Sequence, residues 1–84
     1  MSSWVGCIPI LNEELKNEIE KICRDISEKD PSFRYRIHVS YISDYPYLLA
    51  IYDNDKNQLW RRLTWLKNKT VLKEYNTPMW VRPR

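Results

Sequence analysis

Phe33-Arg34-Tyr35-Arg36-Ile37-His38-Val39-Ser40-Tyr41 alternates apolar and polar side chains over nine residues. Period two is the pattern of a strand with one buried and one wet face. Phe33, Tyr35, Ile37, Val39 and Tyr41 are therefore expected under a layer of helices, with Arg34, Arg36 and His38 exposed. A slip of one residue would drive two arginines and a histidine into the core, against a steep desolvation cost.

Upstream, Trp4–Ile10 is rich in Val and Ile and reads as a strand, with Pro9 implying an edge or a bulge on one side. Asn12 is a good helix cap, and Glu13 and Glu14 suit the positive end of the helix dipole. Leu15, Ile19, Ile22 and Ile26 then form one apolar stripe, on a helix of about 16 residues that Asp30-Pro31 stops. Downstream, Ser43-Asp44-Tyr45-Pro46 supplies a turn, and 47–52 reads as the returning strand of a hairpin. Asp53, Asn54 and Asp55 offer caps for a second helix over 56–68. Val71–Tyr75 either extends that helix or forms a strand, and 79–81 reads as the last strand. The order β-α-β-β-α-β predicts a single α+β domain over 1–84, the ferredoxin-like or split βαβ arrangement. Two helices would cover one face of a four-stranded antiparallel sheet.

The chain has 84 residues and a formal charge of +3, and that length holds one domain. The charge is polarised: 12–30 is net −3, whereas 56–84 is net +7. Ile, Lys, Asn, Tyr and Phe supply 28 residues against two of Ala and Gly, a usage that fits AT-rich genomes such as many bacteriophages have. No apolar run approaches the roughly 20 residues of a membrane span, and no leader pattern opens the chain. Cys7 and Cys23 are too few for a disulfide framework, so a cytoplasmic protein with two reduced thiols is expected.

Catalysis finds little support. The single Gly6 cannot build a phosphate-cradling loop, and one His with two Cys cannot complete a zinc site. Neither a cofactor nor a metal is expected. Cys23 and His38 are the only nucleophile and base to consider; Cys23 follows the apolar stripe and reads as a buried small hydrophobe. No enzymatic role is assigned.

Binding is better supported. In Leu59-Trp60-Arg61-Arg62-Leu63-Thr64-Trp65-Leu66, the three leucines fall in one sector of the helix and Trp60 on its shoulder. Trp65 lies about 120° from that sector, beside Arg61 and Lys69. One helix on one sheet cannot bury both tryptophans. Trp65 either folds over the helix edge toward the C-terminal segment, beside Trp80, or serves as an exposed anchor.

The expected function is a small non-enzymatic binding protein with a macromolecular partner. It would inhibit or modulate a larger host protein or ribonucleoprotein, as a phage-type inhibitor does, through Trp65, Arg61, Arg62, Lys69 and Trp60. The alternative is RNA or single-stranded nucleic acid held by a basic surface of Arg34, Arg36, His38, Arg61, Arg62, Lys69, Arg82 and Arg84. A homodimer through the open sheet face or an edge strand is the third option. No membrane role is expected.

Overall fold

A computed structural model describes residues 3–42 and 44–84; Met1, Ser2 and Ser43 of the expected turn lie outside the described residues. The elements are β1 (Trp4–Ile10), α1 (Glu13–Lys29), β2 (Arg34–Ile42), β3 (Tyr45–Asp53), α2 (Lys56–Lys69), a short 3-10 helix (Val71–Tyr75) and β4 (Trp80–Pro83). The architecture is α+β, with four strands in the order β2-β3-β1-β4 and every pairing antiparallel.

Local chemistry sets the boundaries. The Asn12 side chain accepts from the Leu15 N–H at 2.8 Å, which starts α1, and Asp55 accepts from the Asn57 N–H at 2.9 Å, which starts α2. Thr70 closes α2 and accepts from the Leu72 N–H at 3.3 Å, so the chain tightens into the 3-10 helix and 71–75 neither prolongs α2 nor pairs as a strand. Asn76, at φ 46°, ends that turn in the left-handed region. β4 reaches only to Cys7 of β1, so one side of β1 is unpaired at Pro9, as the proline suggests.

Leu15, Ile19 and Cys23 of α1 meet Leu59, Leu63 and Leu66 of α2 over Ile8, Ile10, Leu49 and Ile51 of the sheet, forming one core. The other sheet face carries no helix. There Val5, Cys7 and Ala50 form a second, smaller apolar cluster, flanked by Leu48, Tyr52 and Trp80.

The central alternation is kept over half its length. Phe33 is buried, Tyr35 and Ile37 pack half-buried against the core, and Arg34 and Arg36 are exposed. His38 is half-buried on the open side. Val39 and Tyr41 depart from expectation, at 70% and 99% exposed. The helical cover ends at Ile37, and the pairing with β3 shifts between Val39 and Ile42, which breaks the period. β2 is also an edge strand, so nothing lies beyond it to bury those side chains.

Gly6 has a packing role. A methyl group built at that position would run into the side chain of Leu63, so α2 lies closer to β1 than any side chain permits. Gly6→Ala should destabilise the fold by about 1–3 kcal/mol, the range for overfilling a packed core. Thermal unfolding checks this, and trimming Leu63 to Ala should cost less in the Gly6→Ala background than in the wild type.

Candidate functional site

The open face of the sheet is arranged in rows set by the strand register. One row runs Arg82, Val5, Tyr52, Arg34 across β4, β1, β3 and β2. The next runs Trp80, Cys7, Ala50, Arg36, and a shorter third runs Pro9, Leu48, His38. Small side chains occupy the two central strands, and arginines stand on both edge strands. The result is a trough with basic rims, spaced by three strand intervals, or roughly 14 Å.

Arg84 completes this face. Its backbone N–H donates to the Ser3 carbonyl at 2.9 Å, and its guanidinium lies 4.7 Å from the centre of the Tyr52 ring. The Tyr52 hydroxyl lies 3.4 Å from His38 Nε2, which ties the ring to β2. A cavity of about 310 Å³ opens here, lined among others by Cys7, His38, Tyr52, Arg82 and Arg84. Arg34, Arg36, Arg82 and Arg84 are exposed, and among the described residues none of the four has an ion-pair partner. None of the three rows holds an acidic side chain.

The helical side is different. Trp65 is 52% exposed and stands in a groove between α1 and α2, lined with Ile22, Ile26 and Phe33. Trp80 is on the opposite side of the sheet, so Trp65 does not fold against it. Arg61 joins Trp65 along the groove. Trp60 is half-buried and Lys69 exposed, and neither lines the groove.

Arg62 is held inside the molecule. It pairs with Asp53 at 3.2 Å and Asp30 at 3.5 Å, donates to the Ser32 hydroxyl at 3.1 Å, and lies over the Phe33 ring. Its charge is already neutralised. The basic set drawn from the sequence thus divides: Arg34, Arg36, His38, Arg82 and Arg84 share the open face, whereas Arg61, Arg62 and Lys69 belong to α2.

The thiols are free and buried. Burial, with a smaller push from Glu20, raises Cys23 to about 12. Cys7 is also raised by burial, with Arg82 offsetting part of the effect. Cys23 lies in the core beneath α1, across the sheet from His38, so the two do not meet. Cys7 shares the open face with His38, but a buried thiol with a raised pKa is the reverse of an activated nucleophile.

Sequence reasoning missed Tyr52 and Trp80 as parts of this face. Trp80, Arg82 and Arg84 alternate with Val81 and Pro83, and that period-two signal points the former three to one side. No family model, no curated protein and no solved structure matches the chain. No helix among the described residues is long and apolar enough to cross a membrane.

Proposed function

We propose that the protein is a small non-enzymatic binding module that grips the phosphate backbone of a single-stranded nucleic acid, free or within a ribonucleoprotein, on the open face of its sheet. One observation carries this reading: four arginines, two from each edge strand or its extension, face one trough with no acid to neutralise them. Unpaired guanidiniums on two rims suit a polyanion threaded between them, because phosphate contacts set position without reading sequence. The strand order, with β3 between β1 and β2 and β1 between β3 and β4, supports a ferredoxin-like, split βαβ reading of the fold. Free buried thiols suit a cytoplasmic setting.

The test is a titration of a labelled 20-nucleotide single strand at 50 and 200 mM salt. Four phosphate contacts on a single strand should weaken binding by about 50-fold between those concentrations. Salt-insensitive binding, or none at 50 mM, overturns the reading.

One observation favours a second reading, in which the chain inhibits a host protein as a phage-type inhibitor does. The half-exposed Trp65 stands in an apolar groove with Arg61 beside it, a residue pair common in interface hot spots. That reading takes precedence if a host protein is captured from nuclease-treated extract and Trp65→Ala, still folded, loses it.

A further inference from the structure

We infer, on the strength of the phosphate-gripping reading, that Tyr52 is a base-stacking platform and that the Arg84 guanidinium covers it until a strand binds. The ring sits where a base would have to lie. It is on β3, next to Arg34 in the same row, with Arg82 in that row on the far rim. A nucleotide whose base lies on this ring therefore has arginines on either side for its phosphates.

The ring is also held ready. The contact of its hydroxyl with His38 restrains its orientation, and neighbouring Val5 and Ala50 are too small to fill the space beside it. A flat cation at 4.7 Å from the ring centre occupies the position a stacked base needs, so Arg84 is a stand-in for that base. Only its backbone is pinned, by the bond to Ser3, while its side chain is exposed. Rotation of that side chain bares the ring and brings the guanidinium to a phosphate. Bases in a duplex are stacked and paired, so the platform selects single strands.

The experiment compares two 10-nucleotide strands of equal charge, oligothymidylate and its abasic counterpart, by fluorescence anisotropy at one low salt concentration. Wild-type protein should bind the base-bearing strand about tenfold more tightly. Tyr52→Phe should keep that preference, and Tyr52→Leu should abolish it while leaving abasic affinity within about twofold. Arg84→Ala should weaken abasic binding yet keep the preference, because it removes a phosphate contact and uncovers the ring. Equal binding of both strands by the wild type overturns the stacking inference while leaving phosphate gripping intact. So does a preference that survives Tyr52→Leu. If Tyr52→Leu proves unfolded by circular dichroism, the wild-type comparison decides. Failure of both strands to bind overturns phosphate gripping itself.

Discussion

Reversing Arg36 and Arg82 together, to Glu, should lower affinity for a single strand by 100-fold or more at 50 mM salt. The two residues stand on opposite rims of the trough, so the pair removes one contact from each side. Each reversal also sets a carboxylate against phosphate, which repels where the arginine attracted. The salt slope should fall by about one unit per lost contact, two units in all. Stability should change by about 0.5 kcal/mol at most, because both side chains are exposed and neither has an ion-pair partner. Reversing Arg61 and Lys69 on α2 is the matched control and should change affinity by no more than about threefold, since these residues point away from the open face. Equal damage from both pairs would move the binding surface off the sheet.

Arg62→Ala should destabilise the protein by about 2–3 kcal/mol, with a melting point lower by roughly 10–20 °C. The side chain is 17% exposed and its Asp53 partner 13%, so truncation strands a mostly buried carboxylate. The same guanidinium ties α2 to the turn after α1 through Asp30 and Ser32, and it covers the Phe33 ring. Arg62→Lys keeps the charge but lacks the planar fork that reaches several acceptors at once, so it should recover less than half of the loss. Asp30 adds a pH dependence. The Ser32 hydroxyl and N–H, and then Arg62, hold its carboxyl below the ordinary range. Stability from that carboxylate is present above the ordinary carboxylate range and is lost as pH falls through the lowered value. A melting point within about 3 °C of wild type would show that this network does not bear on the fold.

The sequence made some of this legible because the signals were local. Strand β2, the Asn12 cap and the leucine stripe of α2 each depend on residues a few positions apart, and each is found where the spacing places it. Val39 and Tyr41 escaped because alternation reports which way a side chain points, not how far the covering helices extend. The Arg62 network escaped for a different reason: Ser32 and Asp30 are some thirty residues away, and nothing local marks their approach. The trough needed both. Alternation put Arg34 and Arg36 on the open face, but only the strand order brings the segment ending in Arg82 and Arg84 across from them.

The bond from Arg84 to Ser3 has a practical consequence for anyone handling the protein. It places the two ends of the described chain side by side, at the mouth of the trough. A purification tag or fluorescent fusion at either end would emerge beside Tyr52 and the arginines, and a polyhistidine or acidic tag there would compete with the ligand. Immobilisation through an exposed position at the end of α2, such as Asn68, keeps the sheet face clear.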